Sequence, residues 1–427
     1  MIRRLLMPTL ALAAWTTGCD DGGTAGPKPP PVSLPDEPNP TYGPGHLTVA
    51  QRGLALDLED FAVLTPAGST AGISISELGT TFPRLVINQP YVAFRNQSCV
   101  DADEAQAQLP RAQAEAFVAD LETETGVRFD EIAINVDLLT PARTSLFFVC
   151  YGEDKPRFDV VAHREALIGA FRDLAGMANV KHITVGLEMN RYYHLRSPED
   201  RPLFDDYSNF ITLYREIYRT IKEENSAIQV GPGVSYAMFM RRTVPAIAEE
   251  LDLEEDSLEA YFRAWQRTIE PLLKTNGGEV TADFIGVTMT PFQSEAPFDG
   301  TPRFVDAAGV ETEDQDDIRA YFRRMPIFAG GLPVVIPQVD WASGAGSANL
   351  KARFLESLKN GLSGVNIAWL AWRRTSNLPG DVGGSNICAK YTESLVNDFK
   401  HPADFCTAGV VNESGGRTEV LDVLLQE

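Results

Sequence analysis

Eight short runs of β-type residues, separated by stretches of helical periodicity, constrain this 427-residue chain more than any other feature. The runs are GLALDLEDF (53 to 61), RLVINQPYVAF (84 to 94), DEIAINVDLL (130 to 139), KHITVGLEMN (181 to 190), AIQVGPGVSY (227 to 236), ADFIGVTMTPF (282 to 292), LPVVIPQVDW (332 to 341) and GVNIAWLAW (364 to 372). Between several of them apolar residues recur at helical spacing. After the fourth run, Phe210, Leu213, Tyr214, Ile217 and Ile221 fall on one helical face. Strands alternating with helices of this length build a parallel sheet covered on both sides. Eight such units fit a closed α/β barrel, the (β/α)8 or TIM barrel, better than an open doubly wound sheet. No GxGxxG follows a strand and no GxxxxGK occurs, so the phosphate-cradling signatures of other α/β folds are missing. The acidic segment EELDLEEDSLEAYF (249 to 262) predicts an extra helix beside the barrel mouth.

The N-terminus is built differently. MIRRLLMPTLALAAWTTGC has two arginines, an apolar stretch from Leu5 to Trp15 and a small pair, Thr17-Gly18, before Cys19. The apolar stretch is too short to span a bilayer as a mature helix. It resembles a bacterial lipoprotein signal, which implies removal of residues 1 to 18, lipidation of Cys19, and a place in the cell envelope as a lipid-anchored protein. An ordinary secretory signal is the alternative, and either one sends the protein out of the cytoplasm. Residues 19 to 45, rich in proline and glycine, read as an unfolded tether. Residues 46 to 427 then form one barrel domain, expected to be a monomer. With Cys19 assigned to lipid, Cys99, Cys150, Cys388 and Cys406 remain, an even number that suggests two disulfides in an exported protein. Pairing of nearest neighbours, Cys99 with Cys150 and Cys388 with Cys406, is preferred among three possibilities, the second pair capping the last loop. Their spacing matches no zinc motif, and the five histidines show no metal-ligand or triad pattern, so neither metal nor cofactor is expected. The formal charge of -22 argues against nucleic acid as a partner, because phosphate binding needs clustered Lys and Arg.

In a (β/α)8 barrel the active-site residues sit at the C-terminal ends of the strands. The ends of these runs offer Asp137, Glu188 with Asn190 and Tyr192, Tyr236, Phe292, Gln338 with Asp340 and Trp341, and Trp369 with Trp372. Carboxylates and amides alternating with aromatics suit a sugar, whose hydroxyls take hydrogen bonds and whose apolar faces stack on rings. Trp369 and Trp372 are three apart, so a regular strand cannot turn both inward.

On these residues the chain resembles the retaining glycoside hydrolases of the large (β/α)8 clan, such as the endo-β-1,4-galactanase and cellulase types. ITVGLEMN puts Glu188 in the acid/base place at the end of the fourth strand. VVIPQVDW aligns Gln338 with the nucleophile of the seventh strand and Trp341 with a following tryptophan, and IKEENSAIQVG is similar to the group's helix-to-strand phrase. The resemblance implies polysaccharide as the partner, with Glu188 protonating the glycosidic oxygen and an apolar pocket raising its pKa. Two departures stand out. Leu187 replaces the asparagine that would hold the substrate 2-hydroxyl, and Gln338 replaces the nucleophile. An amide cannot form a glycosyl ester, so the ordinary two-carboxylate retaining route is broken. Asp340 lies on the same strand face as Gln338, about 6 to 7 Å farther along, which could suit an inverting pair about 6.5 to 9.5 Å apart. Asp137 is the next candidate, and a substrate-assisted route through an N-acetyl group is a third. Whether the chain is an enzyme stays open at this level. A catalytically inactive carbohydrate-binding or surface-assembly lipoprotein is the rival that Gln338 favours.

Overall fold

The computed structural model describes residues 32–42, 45–55, 82–89, 110–125, 128–139, 146, 157–195, 203–289, 315–339, 348–372 and 419–425. Residues 1 to 31 with Cys19, the other four cysteines, Phe292, Asp340 and Trp341 lie outside the described residues.

Eight parallel strands close into a barrel in sequence order: β1 (Arg52–Ala55), β2 (Arg84–Gln89), β3 (Glu131–Val136), β4 (Val180–Val185), β5 (Gln229–Ser235), β6 (Ile285–Thr288), β7 (Val334–Val339) and β8 (Ile367–Trp372). The ring shuts where β1 pairs with β8, Gly53 against Ala371. Outside it run α1 (Pro110–Thr125), α2 (Val161–Ala175), α3 (Phe204–Glu224), α4 (Val244–Leu251), α5 (Leu258–Thr268), α6 (Gln315–Phe322), α7 (Ala348–Gly361) and α8 (Glu419–Leu425). This is the (β/α)8 fold, and each of the eight strands overlaps one of the eight β-type runs of the sequence, β1 and β4 starting one residue before theirs.

Strand alternation sorts the side chains into two cores. Ile132, Ile134, Ile183, Val185, Val230 and Ile336 face the helices and join a large outer cluster, while Ala133, Phe284, Val335, Trp369 and Ala371 form a small inner one. Trp369 and Trp372 therefore part company, the first inside the barrel and the second in the outer layer. The barrel interior is plugged by Arg84, which bonds Glu131 at 2.8 Å and lies 5.1 Å over the Trp369 ring. His182 completes the plug, edge-on to Trp369 at 5.6 Å.

The acidic segment expected beside the mouth forms the end of α4 and the start of α5. Tyr261 and Trp265 of α5 donate to the carbonyls of Arg324 and Phe328, shortly before β7, so α5 lies along the barrel flank. The last part of the proline-rich stretch packs on the barrel too: Glu37 pairs with Arg323 and Arg324, each at 2.9 Å, and Gly45 N donates to Asn360 Oδ1 at 3.0 Å. Arg52 at the start of β1 donates to the carbonyls of Leu47 and Leu425, tying both ends of the domain together.

Candidate functional site

The sequence run KHITVGLEMN suggests a strand to residue 190, but β4 stops at Val185 because Gly186 takes a φ of 74°. A side chain could not follow there, since a Cβ on Gly186 would strike Met189. Glu188 then adopts left-handed backbone, φ 55° and ψ 31°, and starts a 3-10 helix over Met189–His194. A non-glycine residue in this region is uncommon and costs about 1 kcal/mol or more, so neighbouring structure must hold it. Asn190 is one such holder. Its amide donates to Ser235 O at 2.8 Å and accepts from Ser235 N at 2.7 Å, continuing the β4–β5 ladder with a side chain. Gly233 is another, for a Cβ there would run into Gly186 O and come within 3.1 Å of Leu187 Cα.

The Glu188 side chain is 1% exposed and fully engaged. Its Oε1 accepts from Thr288 Oγ1 at 3.0 Å and its Oε2 accepts from Arg191 Nε at 2.7 Å. The surround is thus an ion pair, different from the apolar pocket the sequence led us to expect. The next residue after Thr288 links the site to β7, because Met289 N donates to Gln338 O at 3.0 Å.

Gln338 owes its place to a bulge. Ile336 pairs with Leu370 and Val339 with Trp372, so two β7 residues, Pro337 and Gln338, stand opposite Ala371 of the inner cluster. Gln338 is buried, and its Oε1 meets no donor among the described residues. Asn135, inside on β3, donates to Pro337 O at 3.2 Å. Asp137, one residue past β3, is half-buried and accepts from Leu139 N at 3.2 Å.

Other residues expected to bind sugar sit elsewhere. Tyr236 is buried in the outer layer, where its hydroxyl donates to Tyr321 O and its ring meets Phe328 edge-on at 5.0 Å. It leaves the rim because the chain turns helical at that residue, over Tyr236–Met238. Trp372 shares the outer layer, and Asn190 is wholly buried as a backbone peg. Tyr192 also packs inward, edge-on to Phe158 at 5.3 Å, with its hydroxyl donating to Asp206. Burial and Asp206 together push the Tyr192 pKa well up. Asp206 is itself fully buried and also accepts from Phe158 N at 3.0 Å and Asp159 N at 3.2 Å. Arg191, Thr288 and Asp206 were not singled out from the sequence. Only Arg191 left a trace there, three residues after Glu188, a spacing that pairs side chains once the segment is helical. Among the described residues no three His, Cys, Asp or Glu side chains group as metal ligands, and no helix is long and apolar enough to cross a membrane.

A buried carboxylate on the β4 rim, bonded to Thr288 of β6, whose neighbour Met289 bonds the Gln338 carbonyl of β7, defines the class of protein at the level of architecture: a (β/α)8 barrel with a polar centre at its C-terminal face. Among the solved structures that share that architecture are two that align over most of this chain. An exo-β-1,4-mannosidase from Opitutaceae bacterium strain TAV5 superposes with a TM-score of 0.53 at 10% identity, covering 92% of this chain and 61% of its own. A GH5_18 protein from Streptomyces cattleya, in complex with GlcNAc, gives 0.52 at 11% identity, covering 82% of this chain and 72% of its own. This chain thus spans about three fifths of the mannosidase, and at these identities the likeness is one of fold. No protein-family model and no curated protein matches the chain.

Proposed function

We propose that this protein is an exported, lipid-anchored glycoside hydrolase that acts on a polysaccharide outside the cytoplasm, with Glu188 as its general acid/base. The observation that carries the reading is Glu188 itself, a buried carboxylate in left-handed backbone on the β4 rim, fixed from β6 by Thr288. Strain retained at one polar residue is characteristic of functional positions. Export and anchoring rest on the N-terminal segment ending in Cys19. In this reading substrate draws the Arg191 guanidinium aside, Glu188 takes up a proton from solvent, and the resulting carboxylic acid delivers it to the glycosidic oxygen. Asp340, before Asp137, would then activate water, Phe292 and Trp341 would line the rim with Trp369 beneath, and no metal or cofactor takes part.

The test is reducing-end release by the full chain over a polysaccharide panel. Glu188→Gln should abolish release while leaving the melting temperature within a few degrees, and undiminished turnover would sink the assignment. A second reading, glycan binding without cleavage, is favoured by the Gln338 amide and the Glu188–Arg191 pair. Heat of binding in calorimetry with no sugar released from any substrate would establish it in place of the first.

A further inference from the structure

Arg241 and Arg242 lie within a π-helix, Phe239–Thr243, on the C-terminal side of β5, the same rim that carries Glu188. Such insertions are rare and often mark functional sites. Both arginines are exposed, and neither pairs with an acid among the described residues. They stand side by side as two exposed cations in a chain of net charge -22. The nearby acid Glu250 is already taken by Arg267 at 2.6 Å.

The couple continues into the Glu188 segment. His194 Nε2 lies 2.9 Å from Thr243 Oγ1, joining the 3-10 helix after β4 to the π-helix after β5. The charges of Arg242 and Arg191 both bear on His194. Next to it, Tyr193 stacks on Phe204 at 4.5 Å, and Phe204 keeps 41% of its surface open. One stretch of rim therefore offers two exposed guanidinium groups, a neighbouring imidazole and a partly exposed aromatic ring. Guanidinium forks match carboxylate and sulfate oxygens, and a ring accepts the apolar face of a sugar.

We propose that Arg241 and Arg242 form an anion subsite and that the glycan taken by this barrel is a polyanion, bearing uronate carboxylates or sulfate esters. The inference rests on the proposed function, since it names the substrate class of the same rim. An acidic protein repels a polyanion at long range, so local, exposed cations are what make such a ligand bindable.

The experiment is affinity electrophoresis of the full chain in gels containing polygalacturonate, dextran sulfate, or the neutral partners methyl-esterified pectin and dextran. The wild type should be retarded by an anionic polymer more than by its neutral partner, and less so as salt rises. Arg241→Gln/Arg242→Gln should weaken anionic retardation about tenfold, with an unchanged melting curve and unchanged retardation by neutral glycans. Arg241→Lys/Arg242→Lys should restore most of it. Retention by polygalacturonate alone would assign carboxylate, and by dextran sulfate alone, sulfate. Equal retardation by charged and neutral glycans, or a double Gln variant that binds polyanions as the wild type does, overturns the subsite and leaves the proposed function standing. Failure to bind any glycan of either charge overturns both.

Discussion

Replacing Asp206 by alanine should cost this fold more than any single change at its surface. The carboxylate is fully buried and collects the N–H groups of Phe158 and Asp159, at 3.0 and 3.2 Å, and the hydroxyl of Tyr192. Alanine leaves these three donors, and Asn209 Nδ2 with its longer bond at 3.4 Å, without their acceptor. The Asp159 N–H is part-exposed and can turn to water. The Phe158 N–H and the Tyr192 hydroxyl cannot, and each unsatisfied buried donor costs about 1–3 kcal/mol. With the lost volume, Asp206→Ala should destabilise by about 3–5 kcal/mol. Asp206→Asn keeps one acceptor oxygen for the two backbone donors and should cost about 1–2 kcal/mol, and Tyr192→Phe, which removes only the hydroxyl, about 1 kcal/mol. Urea titrations followed by tryptophan fluorescence give the ranking from the midpoints. If Asp206→Ala loses no more than Tyr192→Phe, the backbone bonds contribute nothing and the reasoning fails.

Two other predictions concern the barrel. Burial first and then Arg84 push the His182 pKa from 6.5 down to about 3, and burial, Arg242 and Arg191 push His194 down to about 4. Their folded values lie below the unfolded one, so the stability they confer is complete above pH 6.5 and drains away as pH falls toward 3. His182→Gln should flatten the fall in urea midpoint between pH 6.5 and about 4 relative to wild type, and parallel curves would refute the assignment. Gly233→Ala should destabilise by at least about 2 kcal/mol, because its Cβ runs into the backbone of Gly186 and Leu187, which cannot step aside cheaply. A midpoint within error of wild type would show that the β4–β5 contact is looser than described.

The architecture was readable because it is written in alternation. Ile183 and Val185 against His182 and Thr184 already assign two faces to β4, and Trp369 and Trp372, three apart, had to separate. What the sequence hides is where a strand gives way. Gly186 ends β4 through its backbone angle, and nothing in VGLEMN distinguishes that turn from continued strand. Tyr236 looked like a rim aromatic because the run before it is extended, yet one helical turn carries it into the outer layer. The partners of Glu188 were hidden for a similar reason. Thr288 lies 100 residues away and meets Glu188 only through the ring order β4, β5, β6. Gln338 faces inward through a bulge whose one sequence hint is Pro337, a residue that cannot donate to a ladder.

The strap that begins near Leu34 has a consequence for how the molecule is presented. Glu37 meets Arg323 and Arg324 ahead of β7, and Gly45 meets Asn360 ahead of β8, so the strap crosses the face where strands begin. Glu188, Arg241 and Arg242 stand on the face where strands end. The described residues between 34 and 45 therefore occupy the back of the barrel and leave the opposite rim uncovered by this strap, so loosening it by Glu37→Ala should lower stability without touching the residues around Glu188.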